Sequence, residues 1–524
     1  MIIREKRTLR TKTLLLASGT AIALSAALAG YVSGAVGVNS KPLRDAVTLL
    51  AVRDHQEALQ AIADANGGNR VAATSGYDAS LDYVKGLVEA AGYNVTVQQF
   101  PFVHFEELSP SEMDQVQPGI APYVNGVDFL TMSYSGSGEV TAVVQPVGGI
   151  VIPPTDQSSS NSGCLAEHFN GFGDGNIALI QRGTCTFAEK VANAEAAGAS
   201  AVIIFNEGNP GAPDRIPLFG GTLGTPAGVP AVSAPFALGE TLIDLISGGA
   251  TVQIHIKTDV LTEQRTTNNL IAETPGGRSD RVVVVGAHLD SVGEGPGIND
   301  NGSGSAGILE IALQMSELGI NPVNKVRFAW WGAEEAGLLG SQYYVDQLTK
   351  RQIKDIAVNL NFDMIGSPNF VRQVYDGDGS STGTAGPNGS ATVEAVFNKY
   401  FTKQGLTFEA TAFDGRSDYG PFIDVGIPAG GLFSGAEDIK TAAQFALFGG
   451  IEGAPLDPCY HAACDTFDNN NDTALDQMSD AAADAVLQFA MTTSAVKGTS
   501  KANDAAVKSV DLDSLAYRGG HLQK

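Results

Sequence analysis

The sequence predicts an α/β protein in which a central sheet carries helices on both faces, with a smaller domain inserted into the chain. Three continuous apolar runs, VVVVGAHLD, KVRFAWWGAEE and IAVNLNFDMIG, alternate with helical segments, which is typical of such a sheet. Each run also ends in histidine or acidic residues. Because sheets of this kind bind ligands beyond the carboxyl ends of their strands, the functional site is expected at that edge.

The composition excludes two classes of partner. The 524 residues include 57 Asp and Glu against 32 Lys and Arg, which gives a formal charge of −25, and 43% of the residues are hydrophobic. Nucleic acids and anionic membranes are bound by basic faces, so neither is an expected partner. The hydrophobic content is enough for a large buried core.

Both ends of the chain are predicted to lie outside the folded body. A basic head precedes the uncharged residues 14–30, and this order is typical of a secretory signal peptide, here residues 1–35. The alternative is an uncleaved anchor, because the run just reaches a membrane-spanning length. Cleavage would give a secreted, soluble chain with no stable membrane anchor. Residues 497–524 are polar and aperiodic, which predicts either a disordered terminus or a C-terminal prosegment over an acidic active-site mouth.

A change in amino-acid composition and periodicity marks the inserted domain. Residues 76–100 predict a helix followed by the strand NVTVQQF, and the chain then becomes rich in Pro and Ser up to about residue 264. Within this stretch FAEKVANAEAAG and ASAVIIFN predict a helix, a glycine stop and a strand. We therefore predict a discontinuous catalytic domain, residues 41–110 and 264–496, that is interrupted by a separate domain at residues 111–263.

The four cysteines fall into two close pairs, Cys164 with Cys185 and Cys459 with Cys464. The sequence leaves three pairings open, of which local pairing is the simplest. Disulfides of this kind would place the protein in an oxidising compartment.

Histidines and acids supply the candidate functional residues. His288, Asp290, Glu334, Glu335 and Asp363 stand at the ends of the apolar runs, Asp300 lies in the glycine-rich loop PGINDNGSGSAG, and His461 lies between the paired cysteines in CYHAAC. Each element also has an ordinary structural explanation. His288 and Asp290 would be a hydrogen-bonded pair, Glu334 and Glu335 the solvated start of a helix, and the loop around Asp300 a turn. Together they form a nitrogen and oxygen donor set that suits two zinc ions bridged by water, an arrangement used in hydrolysis. Asp290 is two residues from His288, so its carboxylate is expected to accept the second imidazole N–H.

Five motifs carry a resemblance to a known family. In order along the chain, GAHLDSVGEGPGINDNGSGSAG, WWGAEEAGLLGS, LNFDMIGSPN, GRSDYGPF and CYHAACDT resemble the secreted bacterial leucine-type aminopeptidases with co-catalytic zinc. The insert resembles a protease-associated (PA) domain. The match covers about residues 45–495 and implies the mixed sheet of the zinc exopeptidase fold, two zinc ions, substrates with free N-termini and a monomeric enzyme.

The resemblance assigns the metal ligands residue by residue. It implies that Asp300 bridges both zinc ions, that His288 and Asp363 complete one, and that Glu335 and His461 complete the other.

The resemblance also assigns the reaction. Glu334 would be the general base, which takes a proton from the water between the metals, leaving a bridging hydroxide as the nucleophile, and passes that proton to the leaving amine. Tyr460 would stabilise the oxyanion, and the bonded pair Cys459–Cys464 would brace the turn that carries it.

Further matches concern the substrate. Gly415 and Arg416 match a substrate-binding segment, and Met364 and Phe433 match an apolar pocket that implies preference for Leu, Met or Phe; plain core packing is the alternative for the latter two. Tyr419 stands where the closest relatives are expected to have His, which changes the expected pocket rim.

Two matters stay open in the sequence. Asp476 and Asp480 resemble a calcium site of some relatives, although the N-terminal partner segment aligns poorly.

The second matter is the reaction itself. A carboxypeptidase or dipeptidase of the same fold would need a basic cluster for the substrate carboxylate, and only Arg416 is seen. A catalytically silent binding protein would have lost metal ligands, and all five are present.

Overall fold

The computed structural model describes residues 38–212 and 215–497. The predicted signal peptide, residues 1–35, and residues 498–524 of the predicted tail lie outside the described residues. No helix within the described ranges is long and apolar enough to cross a membrane.

Helices come first along the chain, and strands and helices then follow in mixed order. The helices are α1 (Lys41–Ala46), α2 (Leu49–Ala65), α3 (Ser75–Ala90), α4 (Phe187–Ala196), α5 (Phe236–Ser247), α6 (Gly302–Glu317), α7 (Leu339–Asp346), α8 (Lys350–Asp355), α9 (Ser390–Gln404), α10 (Gly420–Asp424), α11 (Ala442–Phe448), α12 (Asp472–Met491) and α13 (Ser494–Lys497). The strands are β1 (Asn94–Gln117), β2 (Ala121–Tyr123), β3 (Leu130–Thr131), β4 (Gly138–Pro146), β5 (Ile177–Gln181), β6 (Ala201–Phe205), β7 (Ala231–Ala234), β8 (Gln253–Glu273), β9 (Arg278–His288), β10 (Asn324–Trp331), β11 (Ile356–Phe362), β12 (Gln373–Tyr375), β13 (Glu409–Thr411) and β14 (Ala429–Phe433).

The central sheet is mixed, as the resemblance implied. Its strand order is β13-β12-β14-β11-β9-β10-β8. The middle strands β14, β11, β9 and β10 run parallel, while β12 joins β14 and β8 joins β10 in antiparallel pairs. The three apolar runs of the sequence are the parallel strands β9, β10 and β11.

Helices cover both faces of this sheet, and the two adjacent tryptophans of β10 show how. Trp331 packs against Tyr344 of α7 and Phe422 of α10, at ring distances of 5.1 and 6.0 Å. Trp330 points the other way, and its indole N–H donates to the Ser305 carbonyl of α6 at 3.2 Å. Alternate side chains of one strand thus enter two different cores, which explains the unbroken apolar runs. The predicted fold class is confirmed.

The insert is a smaller α/β unit built on parallel strands. β4, β5, β6 and β7 are parallel neighbours, and the short β3 closes the edge in antiparallel pairing. Helix α4 contributes to the apolar cluster on one face and α5 to the cluster on the other. The predicted helix, glycine stop and strand are α4, Gly198 and β6.

Two long strands join the insert to the central sheet. β1 and β8 pair antiparallel along almost their whole length, from Asn94 opposite Glu273 to Gln117 opposite Gln253. β8 pairs with β10 at one end and with β4 at the other. The predicted limits at residues 111 and 263 fall inside these strands. The register shifts on both sides of Ser109, close to the first of those limits.

A candidate metal centre at the carboxyl ends of the strands

The order of the strands gathers the predicted ligands at one edge of the sheet. His288 is the last residue of β9, Glu334 and Glu335 follow β10, and Asp363 comes directly after β11. Since these strands are parallel neighbours, their carboxyl ends lie side by side. His288, Glu334 and Asp363 are buried residues, and the Glu335 side chain is 10% exposed.

Asp300 lies between two histidines. Its Oδ1 is 3.2 Å from His288 Nε2, and its Oδ2 is 3.3 Å from His461 Nε2. Asp363 Oδ1 lies 3.3 Å from the first of these nitrogens, and Glu335 Oε2 lies 3.0 Å from the second. The five side chains therefore form two groups that share Asp300.

The donor set fits divalent cations. His288 Nε2 faces Asp300 Oδ1 and Asp363 Oδ1, and Glu334 Oε2 lies 3.9 Å away. One imidazole N–H cannot satisfy three carboxylates, and Glu335 Oε1 is buried without a hydrogen-bond partner. Imidazole nitrogen with carboxylate oxygen is a set that zinc takes readily.

The residues around this centre hold unusual backbone angles. Ala333, which precedes Glu334, Met364, which follows Asp363, and His461 itself all have positive φ values of 51–55°. Such angles in residues other than glycine cost on the order of 1–3 kcal/mol and persist where the surroundings enforce them. They aim consecutive side chains in directions that a regular strand end would not allow.

Asp290 differs from its predicted contact. β9 ends at His288, so Asp290 lies in a loop, and it is its backbone carbonyl that lies 3.2 Å from His288 Nδ1. Its carboxylate Oδ1 is 3.8 Å from that nitrogen, too far for a hydrogen bond. Oδ1 instead accepts the backbone N–H of Glu334 at 3.2 Å, and Oδ2 accepts the backbone N–H of Glu335 at 3.3 Å. Asp290 thus orders the glutamate pair more directly than the histidine.

Comparisons with known proteins agree with this geometry. The family model "Peptidase family M28" matches residues 269–486, and the model "PA domain" matches residues 142–242. An aminopeptidase of Pseudomonas aeruginosa is 48% identical over 429 residues, 82% of this chain and 78% of that protein. Leucine aminopeptidase 2 of Trichophyton equinum is 40% identical over 457 residues, 86% of both chains. The chain belongs to peptidase family M28.

Solved structures extend the match. The aminopeptidase from Aneurinibacillus sp. strain AM-1 aligns with a TM-score of 0.67 and 26% identity, over 86% of this chain and 96% of that one. A zinc aminopeptidase from Bacillus subtilis aligns with a TM-score of 0.58 and 27% identity, over 84% and 95%. The family predicted from the motifs, a zinc aminopeptidase family carrying a PA domain, is confirmed.

A buried arginine that the sequence analysis did not identify lies next to the candidate metal centre, which we call the M28 centre. Arg70 is fully buried and donates to the carbonyl oxygens of Leu289, Pro296 and Gly297, in the loop that leads from β9 to Asp300. Burial lowers the pKa of this guanidinium to about 10, against the raising effect of Asp290 and other nearby acids. It remains a cation at neutral pH and offsets part of the negative charge of the centre.

A second group missed by the sequence ties three ligand-bearing segments together. Asp465 accepts the backbone N–H groups of Asn299 and Asp300 at 2.8 and 2.9 Å. The Asn299 side chain donates to Asp457 at 2.7 Å and accepts the N–H of Gly366, three residues beyond Asp363, at 3.1 Å. We call Asn299, Asp457 and Asp465 the buried knot; each is at most 2% exposed. In the sequence, the only indication of the buried knot is that Asn299 directly precedes Asp300 in the motif NDN.

The cysteines pair locally, Cys164 with Cys185 and Cys459 with Cys464, and no free cysteine remains among the described residues. The second bridge closes the turn that carries Tyr460 and His461, whose rings stack at 3.9 Å. Asp457 accepts the Cys459 N–H at 2.8 Å, so the turn is also fastened to the buried knot.

A cavity of about 150 Å³ opens beside the M28 centre. Met364, Phe433, Arg416 and Tyr460 line it, together with Tyr375. Gly415 is not among the lining residues, because it lies behind the wall and donates its N–H to the Tyr419 hydroxyl at 2.9 Å.

Tyr419 is fully buried and packs against Tyr375 and Phe413, at ring distances of 4.7 and 5.0 Å. Its hydroxyl donates to Asp414 at 2.7 Å. It therefore supports the wall of the cavity from behind and does not form its rim.

The predicted calcium residues lie elsewhere. Asp480 sits on α12 within 3.4 Å of the Arg44 guanidinium and accepts a hydrogen bond from Tyr400 at 3.3 Å. The described residues bring no group of three possible ligands together around Asp476 and Asp480. An arginine against the carboxylate fits a cation poorly, so these two residues do not fit a calcium ion.

Proposed function

We propose that this M28 protein is a secreted, zinc-dependent aminopeptidase that removes apolar N-terminal residues, leucine foremost, from peptides. The observation that carries the proposal is the position of Asp300, whose two carboxylate oxygens face two different histidines at 3.2 and 3.3 Å. The relatives named aminopeptidase and leucine aminopeptidase support the substrate class, and the zinc aminopeptidase from Bacillus subtilis supports the metal.

The two groups around Asp300 would each hold one zinc ion. His288 and Asp363 complete the first set, and Glu335 and His461 complete the second. When bound, zinc supplies a water of nearly neutral pKa and polarises the carbonyl of the scissile bond. The protein's own side chains supply the proton transfers and the orientation of the substrate.

Glu334 is the proposed general base. It lines the cavity, it is 8% exposed, and its backbone N–H is fixed by Asp290. Burial raises the pKa of Glu334 well above its ordinary value; His288 opposes that shift, and Asp418 and Glu335 add to it. Glu334 takes a proton from the attacking water onto its carboxylate and returns it to the leaving amine.

Tyr460 is the proposed donor to the oxyanion. Burial raises the pKa of Tyr460 well above its ordinary value, so the hydroxyl keeps its proton although Arg416 opposes the shift. Arg416 donates to the Tyr460 oxygen at 3.0 Å, which leaves the phenolic hydrogen available for the substrate. A donor held in this way stabilises charge that appears only in the transition state.

The charges at the cavity favour a substrate's amino end over its carboxyl end. Arg416 is the only Lys or Arg among the described residues that line it, and its guanidinium already donates to Glu437 at 2.7 Å as well as to Tyr460. Asp414 and Asp438 lie on the same rim. A free α-ammonium group suits this acidic rim, whereas a carboxylate would meet repulsion.

The apolar wall supports the preference for leucine. Met364, Phe433 and Ala436 line the cavity beside the proposed base. An apolar pocket discriminates by only about 1–3 kcal/mol per methylene, so we expect a graded order among Leu, Met and Phe.

The remaining proposals concern processing and organisation. We propose residues 1–35 as a cleaved signal peptide, residues 41–110 and 264–496 as the catalytic domain of a monomer, and residues 111–263 as the PA insert. Two disulfides support an oxidising, extracellular location.

The test compares leucine p-nitroanilide with its N-acetylated form and with a peptide blocked at its amino end. We expect cleavage of the free-amine substrate only, loss of activity with a chelator, and recovery with zinc. Cleavage from a free carboxyl end would indicate a carboxypeptidase. Absence of all cleavage by zinc-loaded enzyme would indicate the silent binding protein.

A further inference from the structure

A second cluster of carboxylates lies outside the proposed zinc centre. Asp376 directly follows β12, Asp378 lies in the loop after it, and Glu394 lies in α9. One carboxylate oxygen from each lies within 4.8 Å of the other two. The proposed reaction uses none of them.

Asp376 has a buried oxygen that nothing in the described chain satisfies. Its side chain is fully buried, and its Oδ2 accepts from the Ser381 N–H at 2.9 Å and from the Thr382 N–H and hydroxyl at 2.6 and 2.8 Å. Its Oδ1 is buried and has no hydrogen-bond partner. A buried carboxylate oxygen without a partner is unfavourable, and a water or a cation would satisfy it. The two neighbouring carboxylates, Asp378 and Glu394, favour the cation.

The ionisation of Asp376 agrees with this. Burial raises the pKa of the carboxyl, but the hydrogen bonds from Thr382 and Ser381 outweigh it and hold the pKa below its ordinary value. The buried oxygen therefore carries negative charge at neutral pH.

The two other carboxylates are held close to it. Glu394 Oε2 accepts the backbone N–H groups of Gly377 and Asp378 at 2.9 and 3.3 Å, which fixes its side chain against the loop. Glu394 Oε1 accepts from the Asn398 amide at 3.0 Å, and the Asn398 Oδ1 is a second buried oxygen without a hydrogen-bond partner.

We propose that Asp376, Asp378 and Glu394 bind a divalent cation, calcium by preference. All of the donors are oxygen, and the cluster contains no histidine or cysteine, which disfavours zinc. Calcium accepts irregular oxygen sets completed by water, whereas magnesium demands a nearly ideal octahedron. Sites with few protein ligands in extracellular modules bind calcium with a Kd of about 10⁻⁴–10⁻³ M.

The site would act on the wall of the active-site cavity. Tyr375, the residue before Asp376, lines that cavity, and the Asp376 N–H donates to the carbonyl of Thr411, which also lines it. Calcium would therefore fix this wall and lower the KM for leucine substrates with little change in kcat. This consequence rests on the proposed function, whereas the binding of calcium does not.

The experiment uses zinc-loaded full-length enzyme in calcium-free buffer, with calcium binding measured by equilibrium dialysis and stability by thermal unfolding. We expect one calcium ion to bind and to raise the Tm. Asp378→Asn, which removes an exposed ligand, should weaken binding by about tenfold or more, because affinity follows the number of charged ligands. Glu394→Gln, which keeps the acceptor for the two backbone N–H groups, should do the same.

Asp476→Asn is the matched control, because it removes an exposed acid from the other pair that resembles a calcium site. It should bind calcium as the wild-type enzyme does. The proposal is overturned if wild-type enzyme binds no calcium, if Asp378→Asn binds it unchanged, or if Asp476→Asn alone loses it. Binding without any effect on KM would leave the site in place and refute its action on the cavity wall. Absence of leucine p-nitroanilide hydrolysis at every calcium concentration would count against the proposed function and not against the site.

Discussion

The substitution Asp465→Asn tests whether the buried knot positions the shared carboxylate. Asp465 is not one of the proposed zinc ligands, but its two oxygens accept the N–H groups of Asn299 and Asp300. Asparagine has nearly the same shape, keeps one acceptor oxygen, and turns an amide N–H₂ towards the other backbone N–H. The loop that holds Asp300 should therefore lose one of the two hydrogen bonds that it donates to the Asp465 side chain.

The magnitude follows from the contacts. Burial raises the pKa of Asp465 to about 7, so the assay is run above that pH, where the carboxylate is ionised. A hydrogen bond to a charged group contributes about 1.5–3 kcal/mol, which corresponds to about 10–100-fold in an equilibrium constant. Alanine is less suitable, since two buried N–H groups without partners would cost about 2–6 kcal/mol of a total stability of about 5–15 kcal/mol. We expect Asp465→Asn to fold and to weaken zinc binding by about 10–100-fold, the range found for residues that orient metal ligands.

The assay is competition for zinc against a chromogenic chelator, with the Tm of the zinc-free protein measured in parallel. Asp472→Asn is the control, because it removes the same charge from a side chain that is 63% exposed. A lower Tm with unchanged zinc affinity would show that Asp465 stabilises the fold without positioning Asp300. Zinc affinity within about twofold of the wild-type value would refute the reasoning.

Four further outcomes are expected. Glu334→Ala should keep its zinc and lose activity by at least about 10²–10⁴-fold, and loss of metal would contradict its assignment as base. Asp290→Asn should lower zinc affinity or activity by about 10–100-fold, and an unchanged rate and chelator sensitivity would make it an ordinary buried acid. Burial raises the pKa of Asp465 to about 7 and that of Asp418 to about 8, above the value of about 3.9 in the unfolded chain. The folded, zinc-free protein therefore binds these protons more tightly than the unfolded chain, and it should lose stability as they dissociate. The Tm of the zinc-free protein should fall as the pH rises from about 5 to 8, and a rising Tm would refute this. Residues 497–524 contain five Lys and Arg against three Asp. Deleting them should raise initial activity if this basic tail covers the acidic mouth of the active site, and equal specific activity of the two forms would exclude a prosegment.

Local pattern was enough to find the centre of the sheet. The apolar runs are the parallel strands β9, β10 and β11, and the residues at their ends come together because parallel strands finish at the same edge. His288, Glu334 and Asp363 could thus be grouped by topology alone. Asp300 and His461 lie on loops; their residue types made them candidates, and the resemblance to the family assigned them as zinc ligands.

Contacts between distant parts of the chain could not be predicted in this way. Arg70 stands in a polar loop, NGGNRVAAT, where an arginine is expected to be exposed, yet it is fully buried among three carbonyl oxygens. Asp465 and Asn299 are 166 residues apart, and nothing in either segment indicates the other. The contact of Asp290 was predicted from the alternation of an extended strand, and it failed because β9 ends two residues earlier.

The insert is bound to the catalytic machinery by more than its two connecting strands. Tyr134 belongs to the predicted PA domain, is 4% exposed, and donates its hydroxyl to the carbonyl of Val103 at 3.0 Å, with the carbonyl of Ala336 at 3.4 Å. Ala336 directly follows Glu335, whose N–H is held from the other side by Asp290. The turn that carries Glu334 and Glu335 is therefore held by Asp290 and also contacts Tyr134 of the insert. Besides the two connecting strands, the contact of Tyr134 therefore joins the insert to the turn that carries the proposed base and a proposed zinc ligand.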